Sequence, residues 1–342
     1  MTRRQQPTVK NNKENKMTGT FTGGISFTGG ITFSLAPPAE ATAGWYAGGT
    51  GPISTVQRIT FATDTATATV RGPLSSTNYS QGATGTFTYG WYGGGGNGPT
   101  RYSTVTRITF STDSATSTNR GPLDREALEL AATTTDTYGW FGGGYVTGGT
   151  TSAVSRITYT TDTDTASSRG PLSLTSGSLA ASGDGTTYGW FGGGSNSPGA
   201  GRISTVQRIT YTTDTNTASV RGPLTTSRTR LAATGTSTDG WYAGGVDTTA
   251  SPFQVSIVNR ITYATDTATA STRGPLSTIR QGLTASSDNT YGWFGGGINP
   301  GASPITVSTV DRITYATDTN TASTRGPLTV STYLLAATSG VQ

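Results

Sequence analysis

A unit of about fifty residues returns six times along this 342-residue chain, and no other feature limits its fold so strongly. Tryptophans stand at Trp45, Trp91, Trp140, Trp190, Trp241 and Trp293, spaced 46, 49, 50, 51 and 52 residues apart. Each opens a glycine-rich string, Gly-Trp-Phe-Gly-Gly-Gly at 139–144, 189–194 and 292–297, with close variants in the other copies. Arg-Ile-Thr-Tyr/Phe follows, beginning at Arg58, Arg107, Arg156, Arg208, Arg260 and Arg312. Six residues beyond each of these arginines stands an aspartate: Asp64, Asp113, Asp162, Asp214, Asp266 and Asp318. Thirteen residues beyond each arginine comes Arg-Gly-Pro-Leu, from Arg71, Arg120, Arg169, Arg221, Arg273 and Arg325.

Between these marks lie four short segments rich in threonine, β-branched and aromatic residues. Examples are Leu-Ala-Ala-Thr at 231–234 (a), Tyr-Gly-Trp-Phe-Gly-Gly from Tyr188 (b), Val-Gln-Arg-Ile-Thr-Tyr from Val206 (c) and Thr-Ala-Ser-Val-Arg ending at Arg221 (d). Short runs split by Gly, Asp and Pro predict antiparallel strands joined by tight turns. Four strands in about fifty residues is the size of one propeller blade. The order of the marks resembles the Kelch repeat: Tyr188–Gly194, then Tyr211–Asp214, then Pro223–Leu224. This chain departs from that family in having no second tryptophan near strand d. The resemblance covers 44–342 and implies an all-β, six-bladed propeller. In style the repeats are also similar to propeller proteins of marine tailed-phage virions.

Closure of the ring is legible too. Leu335-Ala-Ala-Thr338 repeats strand a for a blade that the chain never completes, while the first copy opens at Gly44 without a strand a. The C-terminal strand is expected to supply it, leaving no open edge. Length varies almost entirely between strands b and c, where the distance from Trp to the next Arg runs 13, 16, 16, 18, 19 and 19. Antiparallel alternation puts the b–c loops and d–a crossovers on one face, and inserts gathered on one face of a repeat array mark a binding surface. Tyr102, Tyr145, Asn196, Arg202, Phe253 and Asn299 are the expected ligand-contacting residues of these loops.

The N-terminus reads as a separate object. Residues 21–35, FTGGISFTGGITFSL, alternate strictly, with Phe21, Ile25, Phe27, Ile31, Phe33 and Leu35 on one side. That pattern predicts a half-buried strand too long for a blade. We expect residues 17–43 to be an arm that docks on a neighbour's arm or on another protein's sheet. Folding back over its own propeller is the alternative. Residues 1–16 form a basic tail: Arg3, Arg4, Lys10, Lys13 and Lys16 against Glu14 give +4 of the net +5. The remaining 18 basic and 17 acidic residues leave 17–342 nearly neutral, so no nucleic-acid partner is expected of the propeller at 44–342.

Cysteine and histidine are both absent. That excludes disulfides, Cys/His metal sites and His-dependent triads. It also excludes the copper-oxidase propellers, and the Ser-x-Asp-x-Gly-x-Thr-Trp box of sialidases is missing. The aspartates fall one per blade, so turn capping explains them better than acid catalysis or calcium. Arginines of the Arg58 and Arg71 type are expected to pair structurally with Asp64-type carboxylates or with backbone carbonyls, and the six tryptophans to pack between blades. No enzyme activity, cofactor or metal is expected. The similarity to virion propellers implies a structural protein of a tailed phage, anchored by 1–43 and localised to the virion. It would assemble with itself or with other virion proteins and present its loop face to a host glycan or receptor. The absence of a secretory signal or an apolar membrane span agrees with assembly inside a host. A carbohydrate- or protein-binding propeller unrelated to virions is the runner-up, and a glycan-active propeller enzyme comes third.

Overall fold

A computed structural model describes residues 40–196, 201–247 and 253–339. The chain divides into Met1–Pro38 and Ala39–Gln342. The tail and the arm residues Phe21, Ile25, Phe27, Ile31, Phe33 and Leu35 lie outside the described residues.

Six four-stranded antiparallel sheets follow one another around a ring, a six-bladed β-propeller. In the fourth blade strand a is Ala180–Gly183, b is Tyr188–Gly192, c is Val206–Thr210 and d is Ser219–Arg221. The other blades repeat this order. The first is closed from the C-terminus, with Trp45 paired to Thr338, Tyr46 to Ala337 and Ala47 to Ala336. Strands b and c are mostly buried, whereas d is three residues long and reaches solvent along its whole length. A short outer strand offers little template for edge pairing.

The sequence places the aromatic after Arg-Ile-Thr at the end of strand c. Instead it opens a single 3-10 turn, as at Tyr211–Thr213, that leads into the aspartate. This turn swings the aromatic ring and the carboxylate toward the preceding blade. The b–c loops hold a second unexpected element. Small hairpins pair Gly96–Asn97 with Thr100–Arg101 and Tyr145–Val146 with Gly149–Thr150.

Each core cluster straddles two blades. Trp140 and Val154 of the third blade, for example, bury against Phe191, Ile209 and Tyr211 of the fourth, with Leu172 and Leu179 from the crossover between them. Two glycines explain how closely the sheets approach. A Cβ on Gly192 would sit 2.8 Å from the Tyr242 ring of the next blade. One on Gly170, in Arg-Gly-Pro-Leu, would meet the Asn216 carbonyl at 2.1 Å. Neither contact leaves room for any side chain.

Candidate functional site

The chemically richest residues of the repeat are absorbed at the blade junctions. Trp45 Nε1 donates to Asp113 Oδ2 of the next blade at 2.8 Å, and Arg58 Nη1 reaches the same oxygen at 3.0 Å. Arg71 Nε approaches it at 3.4 Å. The pattern recurs at every junction and closes on itself, since Trp293, Arg312 and Arg325 converge on Asp64. Each indole also stacks on the aromatic that precedes the aspartate, as Trp190 does on Tyr263 at 3.7 Å between ring centroids. The carboxylates lie 5 to 9% exposed, which rules them out as a solvent-facing acid or metal set. Among the described residues no three acidic side chains converge on a metal-sized site.

The opposite, upper face is where the blades differ. There the d–a crossover bridges to the b–c loop, as Leu128 does to Tyr145 and Thr229 to Val246. The crossovers end in a collar around the axial channel: Ser80, Glu129, Ser178, Arg230, Gly282 and Leu334. Their backbones form a closed circle. Glu129 N donates to Ser80 O, Ser178 to Glu129, Arg230 to Ser178, Gly282 to Arg230, Leu334 to Gly282 and Ser80 to Leu334, at 2.7 to 2.9 Å. All six are left-handed, with φ from 54° to 65°, and only Gly282 is free of the steric cost. These residues line the mouth of a channel of about 140 Å3 whose wall is mostly alanine and leucine from strands a.

One side of the collar is polar. Ser178 Oγ donates to Glu129 Oε2, and Arg230 Nη2 lies 3.5 Å from Glu129 Oε1. The Glu129 side chain is 9% exposed and that of Arg230 is 39% exposed, so the carboxylate is fixed and the guanidinium faces solvent. Acceptor, hydroxyl and multiple N–H donors therefore stand side by side at a concave mouth, a set of polar groups able to orient a small ligand.

The six loop residues singled out in the sequence sit on this face but do not converge on the collar as a set. Phe253 is 57% exposed, and Asn196 is exposed in a different blade. Tyr145 is half-buried with its ring over Gly177, where a Cβ would lie 2.5 Å from the ring. Tyr102 is half-buried and its N–H donates to Gly95 O. Arg202 bridges to Ser195. Asn299 accepts from the Gly301 N–H in a local turn at 2.9 Å.

Sequence reasoning missed the collar, although every member lies nine residues after the Arg of Arg-Gly-Pro-Leu. The available signal was a fixed position whose chemistry changes while its neighbours stay constant. It also missed two arginines at the seventh residue after that Arg. Arg228 and Arg280 are fully buried. Arg280 donates to Gly296 O and Thr309 O at 2.8 Å and pairs with Asp311 at 2.7 Å. Arg228 makes the same backbone contacts but meets Asn259 Oδ1 at 2.8 Å instead of a carboxylate. Burial pushes Arg228 down to about 10, with the Asp247 charge opposing.

No family model matches this chain. No curated protein matches it either. Among solved structures it is similar to YjhT, at 12% identity over 84% of this chain and 98% of that one, with a TM-score of 0.67. At that identity the likeness is one of fold, and it agrees with the six blades described above.

Proposed function

We propose that this chain is a non-catalytic recognition propeller that binds a host-surface glycan or receptor through its b–c loop face and collar. In this reading residues 1–43 anchor it to a tailed-phage particle as a structural virion protein. The observation that carries the recognition role is the split between faces. The carboxylates and arginines repeated in every blade are spent on the junctions, while side-chain variety gathers around the channel mouth. Four non-glycine polar side chains are kept at left-handed backbone positions that glycine would fill without strain. Retaining strain at a cavity mouth makes sense if the side chains themselves contact a ligand. The virion placement rests on the arm sequence and on the style of the Kelch-like repeats.

Glu129, Ser178 and Arg230 also favour a second reading, a carbohydrate-binding propeller with no particle to attach to. Hydroxyl-rich ligands suit such mixed donors and acceptors. A glycan-active enzyme is the third reading, and it would need an acid/base pair that Glu129 alone does not supply. Deleting residues 1–39, which leaves Ala43 and the whole of strand b in place, separates the first two. We expect the truncated chain to fold as a monomer, to lose incorporation into particles and to keep binding on a glycan array. Particle incorporation by the truncated chain would overturn the anchoring role. Glycan binding unaffected by Arg230→Ala and Glu129→Ala would overturn the collar.

A further inference from the structure

The first blade lacks a part that the other blades use to complete their lower face. Where strand b begins, blades two, three, four and six carry Tyr89, Tyr138, Tyr188 and Tyr291. Each tyrosine meets its own tryptophan edge to face at 5.6 to 5.7 Å. Each also lies beneath the strand c arginine, 4.0 to 4.3 Å from its guanidinium carbon. The fifth blade has Asp239 at that position and satisfies the arginine with charge instead, Asp239 Oδ1 lying 3.5 Å from Arg260 Nε.

The first blade has neither solution. Ala43 pairs with Thr60 in the register that Tyr89 holds with Thr109, so the positions are equivalent. Among the described residues, the methyl group leaves Arg58 with no ring beneath it and no second carboxylate. The two strand c arginines without a tyrosine beneath them, Arg58 and Arg260, are 28% and 27% exposed against 17 to 20% for the other four, and only Arg260 has a second carboxylate beside it. Trp45 is the most exposed of the six tryptophans, at 5%. A cleft of about 370 Å3 opens there, lined by Thr42, Ala43, Trp45, Arg58, Phe87 and Phe110. Phe87, in the a–b turn of the second blade, forms one wall and is 44% exposed, an uncovered large aromatic beside a cation.

We propose that this cleft is a binding site for one aromatic side chain, tyrosine or phenylalanine, of a second protein. The molecule itself supplies the template, because four other blades display the ring that fits under the arginine and against the indole edge. Both contacts are favourable for a neutral ring with a negative face. A buried aromatic anchor in a preformed pocket is the usual centre of a small protein interface. Among the described residues only one blade is open in this way, so one anchor binds per propeller. The cleft is on the face opposite the collar, so a docked partner leaves the upper face unobstructed. This inference stands on the lower junctions alone and does not depend on the proposed function.

The test is a titration of the isotope-labelled full chain with N-acetyl-tyrosine amide, followed through the indole N–H signals. The Trp45 indole, held by Asp113, is expected to shift saturably while the other five stay in place. Ala43→Tyr, which supplies the ring internally, is expected to shift the Trp45 signal before any probe is added and to abolish the response. Ala43→Asp, which copies the fifth blade, is expected to fold and to bind no probe. A Trp45 signal that does not move, or that moves equally in Ala43→Tyr, overturns the proposal. A wild-type signal already at the Ala43→Tyr position, released by deleting residues 1–39, also overturns it, since the occupant would then be this chain's own segment.

Discussion

The lower junctions and the upper collar use the same repeat in opposite ways. At the junctions six copies of one solution close a ring: an indole, two guanidiniums and a carboxylate, the same atoms each time. At the collar the backbone is just as regular, a circle of six hydrogen bonds, yet the side chains are Ser, Glu, Ser, Arg, Gly and Leu. Geometry repeats in both places, and chemistry only in one. Repetition of chemistry serves stability here, since every blade has the same gap to seal against its neighbour. Variation on a regular frame is the arrangement expected of a surface that meets something without six-fold symmetry.

Breaking a junction should have the largest effect. Asp214→Ala strands the Trp140 N–H and leaves Arg156 and Arg169 without their shared anion. A loss of about 3–5 kcal/mol is expected, read as a lower urea midpoint. Asn196→Ala, in an upper loop, should change stability by less than about 0.5 kcal/mol. Equal effects would erase the distinction between the faces.

The junctions and blade cores also set the response to alkali. Burial raises the phenols of Tyr46, Tyr92, Tyr159, Tyr211, Tyr242, Tyr263 and Tyr315 above their ordinary value of 10.0. Above pH 10 the unfolded chain releases these protons and the folded chain keeps them, so the folded state binds more protons and stability falls as pH rises. Each phenol contributes about 1.4 kcal/mol per pH unit in that range. The midpoint should therefore hold steady up to about pH 9 and drop steeply beyond 10. Tyr159→Phe should make that drop shallower, and an unchanged slope would mean that the phenol ionises freely in the fold.

Much of this is legible in the sequence alone. The period, the closure by Leu335–Thr338 and the grouping of inserts on one face follow from spacing, because strand pairing and blade size are local consequences of sequence. What is not legible depends on contacts between blades. Asp64 lies in the first blade and serves Trp293 of the sixth, a pairing that only the closed ring creates. The 3-10 turn that aims Asp214 backward is hidden because Tyr211 looks like one more strand residue. Arg228 and Arg280 stand in crossovers that read as polar surface, yet converging backbone carbonyls make a buried guanidinium tolerable there.

Those two arginines give a smaller and sharper test. Blade five holds its arginine with an amide and blade six with a carboxylate. Since an amide suffices in blade five, Asp311→Asn should cost less than the junction variant, about 1–3 kcal/mol. Asn259→Asp should move the midpoint the other way, because it puts a carboxylate in direct contact with a guanidinium whose charged form burial disfavours. Shifts of the same sign in both variants would show that the backbone carbonyls alone set the cost.

The smallest stability change belongs to the collar, and it separates the two regions most cleanly. Leu334→Gly and Glu129→Gly remove side chains from left-handed backbone, at φ of 56° and 54°. Relief of that strain, about 1 kcal/mol, is offset by the greater freedom glycine gains in the unfolded chain, about 0.5–1 kcal/mol. The Leu334 change should leave the urea midpoint nearly unmoved. The Glu129 change additionally loses the contacts to Ser178 and Arg230, so its midpoint should fall slightly. Ligand binding should respond in the opposite proportion to stability, surviving Leu334→Gly and failing in Glu129→Gly. If Leu334→Gly instead unfolds the ring, the collar is a second structural clasp, and its varied side chains carry no recognition.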